Sequence, residues 1–162
     1  MASFILIIKT VSSPHIAFLG KIPGTDRYSD VKRNPDNELL PSALLFRVEA
    51  PLVYFNVSHV YNHVWPMITE SATPIKVVIL DLSTSAYIDS SGARFIKSLF
   101  LNLQARGIIF KVAEAHSEVR DILRFENVEH LLGHVSHRDS IQDIIAYTLT
   151  EAEVREKLKQ TI

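Results

Sequence analysis

The sequence predicts one α/β domain, a mostly parallel central sheet of about four to five strands flanked by helices. Three observations carry that expectation. Residues 75–82, IKVVILDL, form a nearly continuous apolar, β-branched run suited to a central parallel strand buried on both faces. Strand-like runs alternate with segments whose apolar residues recur at helical spacing, the pattern of βαβ units. Finally, 162 residues with 47% hydrophobic and 22% charged composition are enough to bury a single core.

The elements follow in chain order. Residues 4–8, FILII, are too short for a bilayer span, which takes about 20 residues, and lack the flanks of a signal peptide. They read either as an edge strand or as the end of a transmembrane helix. Residues 15–19, HIAFL, predict a strand that can pair antiparallel and ends at Gly20. Pro23-Gly24, Asp26 and the run Asn34 to Asn37 then mark a long polar excursion, so residues 24–41 are expected to be the most mobile part. Residues 44–49 and 52–55 are two further strand candidates, separated by Ala50-Pro51, where proline cannot donate a ladder hydrogen bond.

Asn56 can cap a helix running from Val57 towards Ser71, with Val57, Val60, Tyr61, Val64, Trp65 and Ile68 on one face. Pro66 should end it early or kink it. After the 75–82 strand, Phe95, Ile96, Leu99, Phe100 and Leu103 form a second stripe closed by Gly107 as a left-handed C-cap. Residues 108–113 predict the next strand, and Ser117 a short helix with Val119, Ile122, Leu123 and Phe125. Residues 128–132 are apolar but fit neither period clearly. Ser140 and Asp143 resemble a capping box for a last helix carrying Ile141, Ile144, Ile145, Tyr147 and Leu149. The charged residues 151–162 read as an extension of that helix or as a tail.

Composition excludes several function classes. Lys and Arg number 17 against 18 Asp and Glu, so no basic field draws the domain to nucleic acid. Cysteine is absent, which removes disulfides, thiolate metal sites and cysteine catalysis and suits a reducing cytoplasm. His59 and His63 stand at i, i+4 without the glutamate of HExxH, and His130, His134 and His137 surround a predicted turn. No metal and no cofactor is expected.

The chemistry concentrates in residues 86–99, AYIDSSGARFIKSL, where Asp89, Ser90, Ser91 and Gly92 precede the second helical stripe. The 75–82 strand delivers its carboxyl end, Asp81, to a loop containing Ser83, at the edge where α/β sheets collect their sites. Asp and Ser at a helix start are ordinary caps. The same first turn, with unpaired N–H groups and the positive dipole end, also favours an anion such as a phosphoserine. A hydrolase would need a base near Ser91, and His116 with Asp81 or Asp89 could supply one. The G-x-S-x-G elbow is missing, however, as is any GxxxxGK phosphate loop, so the chain is not read as an enzyme.

The stretch VVILDLSTSAYIDSSGARFIKSL resembles the signature of the STAS domain, shared by anti-sigma-factor antagonists and the cytoplasmic tails of sulfate permease (SulP) anion transporters. Residues 14–35, PHIAFLGKIPGTDRYSDVKRNP, resemble the SulP segment that joins the last membrane helix to this domain, and residues 47–60, RVEAPLVYFNVSHV, the segment after it. An alanine often found between the aromatic pair and the asparagine is missing.

The resemblance implies a STAS-like fold and a division into residues 1–13, the end of the last transmembrane helix and linker; 14–150, the domain; and 151–162, a charged helix or tail. It implies a regulatory and interaction domain of a secondary transporter of sulfate, bicarbonate or dicarboxylate, at the cytoplasmic face of the cell membrane. In the antagonists the serine matching Ser91 is phosphorylated by a kinase, which makes Ser91, and beside it Ser90, candidate phosphate acceptors. Asp81, Ser83, Asp89 and Gly92 are then the motif loop. Implied partners are the transmembrane domain of the same transporter, a second copy of the chain, and acyl carrier protein or another cytoplasmic protein. A soluble antagonist-like phosphorylation switch is the alternative.

Overall fold

The computed structural model describes residues 9, 11–133, 135 and 140–160, with side chains up to residue 151. Residues 4–8, His134 and His137 therefore lie outside the described residues. Among the described residues five strands form one sheet: β1 (Ile16–Lys21), β2 (Tyr28–Asp30), β3 (Ala43–Val48), β4 (Val77–Asp81) and β5 (Ile109–Ala113), in the order β2-β1-β3-β4-β5. β3, β4 and β5 run parallel, in register from Ala43 opposite Val77 and Val77 opposite Ile109. β1 pairs antiparallel with both β3 and β2.

Helices cover both faces. α1 (Val57–Thr69), α2 (Ser90–Ala105), α3 (Ser117–Phe125) and the single turn α4 (Glu129–Leu132) share one core with the sheet; α5 (Ile141–Gln160) packs on the opposite face. β4 explains why two layers are needed. All five of its residues are buried, Val78 and Leu80 among the α1–α4 core, Val77 and Ile79 among the core that holds Ile141, Ile144 and Ile145. Truncating Leu80 or Ile96, both fully buried, to Ala would cost about 2–5 kcal/mol.

The expected caps form where their chemistry is local. Gly107, at φ 72°, donates to the Gln104 carbonyl while Ile108 donates to that of Leu103, a Schellman closure of α2. Asn127, at φ 53°, closes α3 by the same pair of bonds. Ser140 and Asp143 exchange bonds: the Ser140 hydroxyl donates to the Asp143 carboxylate at 2.6 Å and accepts from the Asp143 N–H at 3.2 Å. α5 runs on unbroken past residue 150.

Several expectations are corrected. Gly20 does not end β1; it lies within it, because a Cβ there would stand 2.7 Å from the Val31 side chain, so only glycine admits this approach. The polar excursion contains β2 and is tied by side chains, with the Asn37 amide donating to the Ser29 carbonyl and hydroxyl at 3.0 and 2.7 Å. Residues 52–55 form no strand; Leu52 makes a single bridge to Ile88. α1 passes through Pro66 and stops at Thr69, short of Ser71. Its Asn56 supplies no side-chain cap bond to the helix, and α3 is preceded by His116, with Ser117 as its first residue.

Candidate functional site

The motif loop joins β4 to α2 at the carboxyl edge of the parallel strands, and three polar groups fix its shape. Asp81, 1% exposed, accepts from Arg47 Nε and Nη2 at 2.7 and 2.6 Å on one oxygen and from the Ser83 N–H at 2.8 Å on the other. A buried carboxylate is tolerable only with such partners, and a two-pronged guanidinium is the strongest of them. Ser85, fully buried, donates to the carbonyls of Val48 and Ala50 at 3.2 and 2.8 Å, tying the loop to the end of β3. The Ser83 carbonyl accepts from His116 Nε2 at 2.9 Å, so that nitrogen carries the proton.

The start of α2 is built by Asp89 and Gly92. Asp89, not either serine, is the N-cap: it accepts from the Gly92 N–H at 2.8 Å and, with its other oxygen, from the Tyr54 N–H at 2.9 Å. One carboxylate thus starts a helix and pins the 52–55 loop beside it. Gly92 allows that closeness, since a Cβ would meet the Leu52 carbonyl oxygen at 2.3 Å. The Asp89 N–H bonds the same oxygen at 3.1 Å.

Ser90 is exposed and Ser91 half-buried, both in the first turn of α2. Ser91 Oγ accepts from Arg94 Nη2 at 3.3 Å. A guanidinium cannot take a proton, so this contact does not activate a nucleophile. Neither do Ser91, His116 and Asp81 form an activating chain, because Asp81 is bound to Arg47 and His116 to the Ser83 carbonyl. The Ser91 hydroxyl thus faces a cation rather than a base. Ser91 and Arg94 border an open groove of about 300 Å³ between α1 and α2, with Ser58, Tyr61 and Asn62 on its other wall.

Sequence reasoning named Asp81, Ser83, Asp89, Ser90, Ser91 and Gly92, and the fold gathers all six on one loop and helix turn. It missed Arg94, Arg47 and Ser85. Arg94 was findable, since i, i+3 residues on a helix are neighbours; Arg47 required the β3–β4 register, in which it stands opposite Asp81.

A second polar cluster lies at the other approach to α1. His15 Nε2 donates to Asp30 at 2.8 Å, and the His59 and His63 rings stand 4.1 Å apart. With Lys32 they line a groove of about 520 Å³. Burial pushes the Asp30 carboxyl up, but the His15 bond, the Lys32 N–H and the charges of His15 and Arg33 together hold it below its ordinary value. Burial, then the neighbouring His63, lowers His59 against a raising bond to Pro14. Among the described residues no three His, Asp or Glu are grouped to hold a metal ion.

A parallel three-strand core with antiparallel β1 and β2 and an Asp-Ser-Ser-Gly helix start at its carboxyl edge defines a small α/β domain of one recognisable class. The sequence model of the STAS domain matches residues 34–144, and the chain belongs to that family. Its sequence is 28% identical over 152 residues to high affinity sulfate transporter 2 of Stylosanthes hamata, covering 89% of this chain and 23% of the relative. The chain spans about a quarter of the length of the curated relatives it matches.

Among solved structures, the murine Slc26a9 anion transporter superposes with a TM-score of 0.80 at 18% identity, over 91% of this chain and 24% of that one. The SulP transporter STAS domain of Vibrio cholerae gives 0.58 at 18% identity over 75% and 93%. The anti-sigma factor antagonist SpoIIAA, unphosphorylated, gives 0.54 at 14% over 68% and 94%. At these identities the likenesses are of fold. No helix among the described residues is long and apolar enough to cross a membrane.

Proposed function

We propose that this chain is the cytoplasmic regulatory and interaction domain of a SulP-type secondary anion transporter, with sulfate the first candidate substrate and bicarbonate or dicarboxylate the others. The observation that carries the reading is extent. Sequence likeness to probable sulfate transporter 4.2 of Arabidopsis thaliana, 27% identical, runs over 99% of the chain and so extends well beyond the 34–144 family match. In this reading residues 1–13 are the end of the last transmembrane helix and the linker, 14–150 are the domain and 151–162 a charged helix or tail.

The domain acts by contact rather than catalysis. Its first partner is the transmembrane domain of its own transporter; a second copy and acyl carrier protein are further candidates. Ser91 is the regulatory position: a phosphoryl group there would carry about −1.5 to −2 charges into the first turn of α2, where Arg94 already bonds the hydroxyl. Asp89 supplies the opposing charge, so the modification would reorganise the turn rather than simply fill a site.

The test is the complete reading frame, expressed and fractionated. The expected product carries membrane helices ahead of residue 4, is recovered in membranes and takes up labelled sulfate. A product that begins at Met1 and stays in the soluble fraction would contradict the transporter reading and favour the soluble switch.

A further inference from the structure

Two exposed aromatic side chains stand where the chain enters the domain. Tyr54 is 71% exposed and Phe55 67%, and their rings meet edge to face at 5.7 Å. Exposed aromatics on a floppy loop would mean little, but this loop is held from three sides. The Tyr54 N–H is bound by Asp89, the Val53 N–H by the Asn56 side chain at 3.0 Å, and the Asn56 N–H by the Val53 carbonyl at 2.9 Å. The fold therefore keeps about two rings' worth of apolar surface in water at a fixed place.

The position of that place follows from Asn56, which is fully buried. Its amide donates to the Pro51 carbonyl at 2.8 Å and to the Val11 carbonyl at 3.1 Å. Val11 belongs to the helical turn through which the chain arrives, closed by the Ser13 N–H on the Lys9 carbonyl. The residue next to Phe55 thus grips the helical turn by which the chain enters the domain, and the sequence ahead of that entry is the apolar FILII.

The exposed cation beside the linker is Lys32, although the chain carries a net charge of −1. Pro14, on the same linker, is bonded by His59, and the groove beneath it is lined by Lys32, His15, His59 and His63. Its one carboxylate, Asp30, is already bound to His15 and lies 3.8 Å from Arg33.

We infer that the face around the linker, with Tyr54 and Phe55 as its apolar tip and Lys32 as the cation at its rim, rests on a lipid bilayer that carries anionic headgroups. Aromatic rings at the headgroup level and basic side chains beside them are the chemistry that a membrane interface selects. The inference rests on the reading of residues 1–13 as the end of a transmembrane helix, which brings this face to the bilayer.

Flotation with vesicles tests it, using the chain as it stands and a form in which residues 4–8 are all serine. The vesicles are phosphatidylcholine alone or phosphatidylcholine with phosphatidylglycerol. Y54S/F55S should weaken partitioning in both forms by about tenfold or more, the scale set by withdrawing two aromatic side chains from an apolar contact. Lys32→Glu should abolish the preference for phosphatidylglycerol. Both variants should melt like the parent, since all three side chains are exposed. Unchanged partitioning of Y54S/F55S, or binding that depends on residues 4–8 alone, overturns the inference and leaves the transporter reading standing. That reading fails separately, if the complete reading frame encodes no membrane helix ahead of residue 4.

Discussion

Gly92 and Leu52 are in contact through backbone alone: a single added carbon on Gly92 would stand 2.3 Å from the Leu52 carbonyl oxygen and 3.0 Å from its carbonyl carbon. Helix α2 can begin where it does only because residue 92 has no side chain. Gly92→Ala should therefore destabilise the domain, although alanine in a helix is worth about 1 kcal/mol more than glycine. Leu52 cannot give way, since its N–H and carbonyl are both bonded to the loop of residues 87–89. A net loss of about 1–3 kcal/mol is expected, read as a fall of several degrees in the melting midpoint. An unchanged or raised midpoint would refute the close approach.

Arg47 and Asp81 provide the second test. Arg47→Leu leaves a carboxylate that is 1% exposed without its guanidinium partner, with the Ser83 N–H still bonded to it, and should cost about 3–5 kcal/mol in urea unfolding. Replacing both residues with leucine should recover much of that loss, because the penalty belongs to the stranded charge. A single variant within about 1 kcal/mol of the parent would show that the pair is open to water.

How far the sequence could be read depended on how local the cause was. Residues 77–81 announced themselves because burial on both faces demands an unbroken apolar run, and Gly107, Ser140 and Asp143 because caps are built within a few residues. β2 was hidden. Its residues Tyr28, Ser29 and Asp30 are polar, and their partners Gln142, Asn37 and His15 lie from 8 to 114 positions away. The motif loop was legible as a set of residues but not as roles: Asp89, Ser90 and Ser91 are all capping types, and the choice among them was made by Gly92 against Leu52, a contact across 40 positions. The histidine groove was invisible for the same reason, being assembled from three separate segments.

That groove gives a prediction in pH. The folded protein disfavours charge on His59, through burial first and His63 second. Its folded pKa therefore lies below the unfolded one, near 6.5. As pH falls through about 6.5 the unfolded chain takes up a proton that the folded chain still refuses, so stability should decline until the folded value is passed. His59→Gln should flatten the stability curve over that interval relative to the parent. Curves that stay parallel would contradict the assigned shift.

The central claim is that the Ser91 turn is a surface through which the domain governs transport. Initial rates of labelled sulfate uptake by the full-length protein, compared for parent, Ser91→Ala and Ser91→Asp, test it most directly. A carboxylate in the first turn of α2 is tolerated by the helix, at a gain of roughly 0.3–1 kcal/mol where the dipole is felt, and Asp89 remains the cap. Ser91→Asp should therefore change the uptake rate severalfold while the melting midpoint stays put, and Ser91→Ala should differ from it in rate. Equal uptake by all three proteins, at equal stability and equal amounts in the membrane, would contradict the account and leave the motif as a feature of the fold alone.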